Sequence, residues 1–214
     1  MATVYFWRET EPDFGYLSQW YECPFQVDGV NYWHTEMWMM MEKARLFNDA
    51  DAQEAMLKTK EPRKHQGIGR KIKGFDRKIW DQHKSRIVEE GNYHKFTKTP
   101  ASEGLREQLL STGDRELVEL VLWSHRRTPT QFGDGGIGAV SHSFTLNLNH
   151  GTMWLTGIYK ASPYDRIWGV GFKAQVAEEN RGGWGENLLG KAIMKTRERL
   201  RREEEEGKTA GKAA

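Results

Sequence analysis

Residues 35–47, Thr-Glu-Met-Trp-Met-Met-Met-Glu-Lys-Ala-Arg-Leu-Phe, constrain this fold more than any other stretch. The pattern predicts a helix with Thr35 as its N-cap, running through Phe47. From Met37 to Met41 it is apolar on every side, and a helix apolar all round must be buried nearly all round. Two charges interrupt it. Glu36 sits in the first turn and Lys43 follows within about 20° of the same face, about 10 Å along the axis. That spacing lets the two line one cavity with Met40 between them. The plain alternative has Glu36 complementing the helix dipole while Lys43 snorkels outward.

Around this helix the chain reads as short elements. Tyr5-Phe6-Trp7 is a short strand, and Phe25–Tyr32 alternates about Asp28-Gly29, a strong hairpin signal. Further helices are expected at Ala50–Lys58, from Pro62 to Ile72, from an Asp76 cap to a stop at Gly91, at Leu105–Leu110, and from Asn187 through Leu200. The run Arg201–Glu206 and the residues after it have nothing to bury, so 201–214 is expected to be a charged, disordered tail.

The segment 120–160 breaks the pattern. Its charged residues are Arg126, Arg127, Asp134 and Lys160, against 29% over the whole chain. Gly133–Gly138 matches G-x-G-x-x-G, but no clear strand precedes it and no helix follows, which excludes a dinucleotide fingerprint. His125, His142 and His150 lack metal-ligand spacing, so no metal and no cofactor are expected. Cys23 is the lone cysteine, which rules out an intrachain disulfide. No basic region precedes an apolar run at the start, and no stretch is long and apolar enough to span a bilayer. The expectation is a cytoplasmic protein, a nuclear one being the alternative, with no membrane partner. A net charge of +2 gives no argument for nucleic acid.

Chemistry-bearing residues recur outside the methionine helix. In His65–Phe75, Gly67 and Gly69 permit close backbone approach, and Arg70 offers a planar fork suited to phosphate. Trp80 lies in a helix whose apolar positions are Phe75, Ile79, Ile87 and Val88, and Lys95 follows toward its end. Asp165 stands three residues before Trp168 in a glycine-rich stretch that also holds Trp184. A carboxylate against an indole face is desolvated, the setting of a general acid or base. Asn187 is an N-cap whose following N–H groups suit an anion, and Gly190 allows another element close to that helix.

These stretches have a familiar order. "TEMWMMMEKARLFND", "GIGRKIKGFDRKIWD", "KFTK", "LREQLLSTGDRELVE", "SPYDRIWGVGF" and "GENLLGKAIMKTRERL" together resemble the YbiA-like, or NADAR, family. The resemblance spans Gly15 to Leu200, and the aromatic form "GYLSQWYECPFQVDG" is most similar to fungal members. It implies an α+β fold, a mostly helical single domain over 1–200 around a small β-sheet. It also implies an N-glycosidase that cleaves the C1′–N bond of a phosphorylated ribosyl-amine or an ADP-ribosyl base. The substrate is then a small ribosyl phosphate of the kind found in early riboflavin biosynthesis, or an ADP-ribosylated molecule. Nucleic acid enters only as modified substrate. By motif match Glu36 and Asp165 are catalytic, while Lys43, Arg70, Trp80, Lys95, Glu119, Trp168 and Asn187 bind substrate.

Two departures stand out. In the family the Leu-Val-Glu motif passes directly into Ser-x-x-Asp, whereas here 120–160 intervenes between Glu119 and Ala161. Without it the chain reads "RELVEASPYDRIWGVGF", so the segment is a retained intron or a lineage-specific insertion. Thr97-Lys98-Thr99 also replaces the usual Gln-Asn pair after Lys95-Phe96. Hydrolysis passes through an oxocarbenium-like ribose. One of Glu36 and Asp165 is expected to activate water and the other to steady the cation, with Arg70 and Lys43 on the 5′-phosphate. The competing expectation is a catalytically silent module that binds ADP-ribose or a related nucleotide.

Overall fold

The computed structural model describes residues 3–120 and 166–212. The strands are β1 (Val4–Phe6), β2 (Phe25–Val27), β3 (Val30–Tyr32) and β4 (Leu117–Glu119). The helices are α1 (Thr35–Leu46), α2 (Ala50–Leu57), α3 (Pro62–Gly69), α4 (Arg77–Lys98), α5 (Ser102–Ser111), α6 (Ala174–Ala177) and α7 (Leu188–Lys212). The class is α+β, and among the described residues the strands form two two-stranded sheets.

The methionine helix is central, as its pattern demands. Met37 through Met41 are all buried, and α1 packs on α2, α3 and α4. Its cap is His34, one residue earlier than predicted. The His34 Nδ1 accepts from the Met37 N–H at 3.1 Å, while Nε2 stands 3.1 Å from the Lys60 carbonyl. Nδ1 being an acceptor, the neutral ring must carry its proton on Nε2 and donate it to Lys60. Burial, with His65 alongside, pushes His34 down to about 3, so the ring is neutral. Thr35 instead donates its hydroxyl to the Gln19 carbonyl.

The β2–β3 hairpin turns at Asp28 and Gly29, both at positive φ (49° and 78°), the combination that a tight type I′ turn requires. Asp76 caps α4 as expected, accepting from the Lys78 and Ile79 N–H groups. That helix does not stop at Gly91. A Cβ there would lie 2.5 Å from Cδ1 of Trp38, whose indole N–H donates to the Ile87 carbonyl. Gly91 thus serves the α1–α4 approach, and the helix continues to Lys98.

β1 and β4 pair in parallel, Val4 opposite Leu117 and Phe6 opposite Glu119. Sequence pattern gave no sign of β4, whose partner β1 lies near the start of the chain, far away in sequence. Gly190 sits where α7 meets β4, close to the Leu117 carbonyl, which fits the predicted close approach.

The charged end also differs from expectation. α7 runs on to Lys212, and its run of charges is anchored to the body. Arg201 pairs with Asp114 at 2.6 Å, Glu204 with Arg106 at 3.1 Å, and Glu203 accepts from the Tyr93 hydroxyl. Ion pairs and hydrogen bonds there replace the missing apolar face. Among the described residues no helix is long and apolar enough to cross a membrane.

Candidate functional site

Glu36 is 4% exposed in the first turn of α1, where its N–H donates to the Gln19 carbonyl. Its carboxylate lies near enough to Lys43 to favour the charged ammonium, while burial pulls the Lys43 pKa below the ordinary lysine range. Lys43 does not snorkel to solvent. Its ammonium donates to the Gly69 carbonyl at 2.8 Å and lies 4.2 Å from the Phe75 ring centre and 5.5 Å from that of Trp80. Gly69 makes this reach short, because α3 packs so closely on Met40 that a side chain there would collide with it. Gly67 faces open space and has no such role.

Phe75 and Trp80 also line a cleft of about 210 Å³, together with Arg77, Asp81, Lys84, Ile167 and Trp168. Trp80 is nearly buried and Trp168 half-buried, packed against the main core. Phe75 and Ile79, two of the apolar positions named from sequence, are exposed; Phe75 forms part of the cleft wall with Lys43 against its ring and the edge of Phe47 beside it.

Asn187 brings the 166–187 segment to this place. Its side-chain oxygen accepts from the Glu119 N–H at 3.1 Å, and its side-chain NH₂ donates to the Leu117 carbonyl at 2.9 Å. The amide thereby pairs with β4 as a neighbouring strand would. The N–H groups of Leu188 and Leu189 donate to the Ile167 and Trp168 carbonyls. The helix start predicted to receive an anion is therefore occupied by backbone, and those bonds fix Trp168 over the cleft. Glu119 is half-buried at the end of β4, its carbonyl accepting from the Val170 N–H.

Of the predicted site residues that are described, Trp80 and Trp168 line the cleft, whereas Glu36, Lys43, Arg70, Lys95, Glu119 and Asn187 do not. Arg70 is exposed at the end of α3, next to the carbonyl that Lys43 holds. Lys95 is completely buried and donates to the Ser18 carbonyl at 2.9 Å, beside the Tyr21 ring. Burial pulls its pKa to about 8. It is an interior tether rather than a cation offered at the helix end. Trp184 is likewise structural, its indole N–H donating to Ala177 and its ring meeting Tyr5 edge-on. Asp165, the three histidines and the 133–138 glycines lie outside the described residues.

Arg77, Asp81 and Lys84 were not singled out by sequence. Lys84 is 8% exposed and donates to Asp81 at 2.8 Å, while Arg77 Nε lies 3.6 Å from the other Asp81 oxygen. The Lys84 hydrogen bond holds the Asp81 carboxyl below its usual range. The usable signal was spacing: Trp80, Asp81 and Lys84 stand three, four and seven residues after Arg77, on one helical stripe. Among the described residues no group of three or more His, Cys, Asp or Glu side chains is placed to hold a metal ion.

The NADAR domain model matches residues 5–122 and 153–201. N-glycosidase R617 of Acanthamoeba polyphaga mimivirus is 33% identical over 191 residues, covering 85% of both chains. Riboflavin biosynthesis protein VVA0006 of Vibrio vulnificus is 29% identical over 136 residues, 63% of this chain but only 34% of that protein. The NMR structure of the E. coli protein YbiA superimposes with a TM-score of 0.61 at 22% identity, over 95% of this chain and 87% of that one, a likeness of fold.

Proposed function

Since the chain belongs to the NADAR domain family, we propose that it is an N-glycosidase acting on a phosphorylated ribosyl-amine or ADP-ribosyl base. The observation that carries this reading is one convergence. Trp80 and Trp168, from distant parts of the chain, wall a single cleft, and Lys43, coupled to the buried Glu36, lies 5.5 Å from the Trp80 ring centre. Two indoles suit a pentose and a flat leaving base. They also exclude water, which strengthens the field of the nearby charges.

Breaking the C1′–N bond leaves positive charge on the ribose, so a carboxylate must steady it and a water must be aimed at C1′. Glu36 supplies one carboxylate from within. Asp165, three residues before Trp168, is the second by sequence position alone. Whichever of the two takes the proton from water, the other faces the oxocarbenium. Arg70, exposed beside the Gly69–Lys43 contact, is our assignment for an outer phosphate. Lys95 and Asn187 support the site from behind rather than touching substrate. The family match leaves out residues 123–152, which supports treating 120–160 as an insertion or a retained intron. Sequencing the mature transcript decides between those two.

Purified protein is to be incubated with a ribosylamino-pyrimidine phosphate and, separately, with DNA carrying ADP-ribosylated guanine. Released ribose phosphate or ADP-ribose is the expected product. Glu36→Gln should lower turnover by about 10² or more while binding of ribose 5-phosphate persists. Unchanged turnover in that variant rejects the role of Glu36. Binding with no product from either substrate favours a silent nucleotide-binding module, a reading that gains support from 120–160 entering the chain directly beside Glu119.

A further inference from the structure

Lys84 is a charge in an unusual position. It is 8% exposed, it lines the cleft together with both indoles, and its single hydrogen-bond partner among the described residues is Asp81. Asp81 is far more open, with its side chain 41% exposed, and it lies between two cations, Lys84 at 2.8 Å and Arg77 at 3.6 Å. A buried ammonium needs a good partner, yet this one is held by a carboxylate free to rotate toward solvent. Two cations converging on one acidic oxygen pair is the charge arrangement of a phosphate site, with a carboxylate standing where phosphate oxygens would bind.

We propose that Lys84 is the group in the cleft that receives the substrate's phosphate, and that Asp81 is a place-holder displaced outward when the phosphate arrives. This rests on the cleft taking a ribosyl phosphate. It adds a specificity device to that site. A dianionic phosphate offers more charge and more acceptor oxygens than Asp81, whereas a neutral sugar offers neither and leaves the Lys84–Asp81 pair closed. Selection then comes from the cost of opening the pair as well as from the contacts made after opening. A merely structural ion pair of the same geometry would have no effect on anion binding.

The test is calorimetric titration of the full chain with D-ribose 5-phosphate and with D-ribose, alongside Lys84→Met, Lys84→Arg and Asp81→Asn, each checked by thermal unfolding. The unaltered protein should bind the phosphate at least about tenfold more tightly than the sugar, an increment of about 1.4 kcal/mol. Lys84→Met should lose that preference, Lys84→Arg should keep part of it, and Asp81→Asn should tighten ribose 5-phosphate without tightening ribose. A Lys84→Met protein that keeps the full preference overturns the proposal, as does an Asp81→Asn protein that binds the phosphate more weakly. Equal binding of phosphate and sugar by the unaltered chain overturns it too. If that chain still releases sugar phosphate from the pyrimidine substrate, the glycosidase reading stands without it.

Discussion

The two ends of α4 bury a lysine each, and they do opposite things with it. Near the start of the helix Lys84 sits in a cleft and is held by a half-exposed carboxylate that can leave. Near the end, Lys95 is sealed from solvent, donating to the Ser18 carbonyl with the Tyr21 and Phe96 rings around it. A backbone carbonyl cannot swing away. The contrast shows that a buried cation is not by itself a site; the exchangeability of its partner decides whether a ligand can take that partner's place. Midway between the ends, Gly91 against Trp38 clamps α4 onto α1, which lets one end stay rigid while the other stays open.

That clamp is where the comparison breaks most easily. Gly91→Leu places a branched side chain where even a Cβ would lie 2.5 Å from the Trp38 ring, and the indole is held by its bond to Ile87. Overpacking of this kind is expected to cost about 3 kcal/mol, read as a fall in denaturant midpoint with an unchanged slope. Both ends should suffer together, ribose 5-phosphate binding weakening along with stability. A variant as stable as the parent would mean that α1 and α4 slide past each other, and the rigid-centre account would fail.

The sealed end makes a sharper prediction from pH. Burial pulls Lys95 to about 8 from an ordinary value of 10.5. Between those two values the unfolded chain holds a proton that the folded chain has released, so stability contributed by this group rises with pH across the window. From pH 8 to 9.5 the gain is about 2 kcal/mol, at about 1.4 kcal/mol per unit. Tyr16, pushed up to about 12 by burial, and the raised Cys23 thiol act in the opposite sense at the alkaline end. The quantity to measure is therefore the difference in slope between the parent and Lys95→Met. If chemical denaturation at pH 8 and 9.5 gives both proteins the same change of stability with pH, burial does not lower the Lys95 pKa.

α4 and its neighbours show what sequence pattern makes legible. The Asp76 cap, the all-round burial of Met37–Met41 and the Asp28-Gly29 turn are decided within a few residues, and all three appear as predicted. Glu36 and Lys43 stood out in the sequence as charges on an apolar helix, and Trp80 and Trp168, both named from sequence, line one cleft. Gly91 misled because a glycine that ends a helix and one that admits a neighbouring ring look alike until the neighbour is known. Lys95 misled for a related reason. Its partner is Ser18, far away in sequence, and no spacing rule reports a distant carbonyl. Asn187 was read as a cap with free N–H groups behind it, whereas β4, itself unseen, takes both ends of its amide.

The smallest effect is expected at the open end, and its smallness is what makes it informative. Lys84 and Asp81 are three residues apart on one helix, with side chains 10% and 41% exposed. A pair open on one side is worth about 0–1 kcal/mol, because solvent screens the carboxylate and both side chains lose freedom to meet. Lys84→Met removes the ammonium but places an apolar chain in a mostly buried position, which offsets part of that loss. Stability should change by less than about 1 kcal/mol. A loss of several kcal/mol measured by denaturant unfolding would mean that Lys84 is a tether like Lys95, and the two ends of α4 would no longer differ in kind. If stability barely moves while the preference for ribose 5-phosphate disappears, the ammonium is retained for what enters the cleft rather than for holding the helix in place.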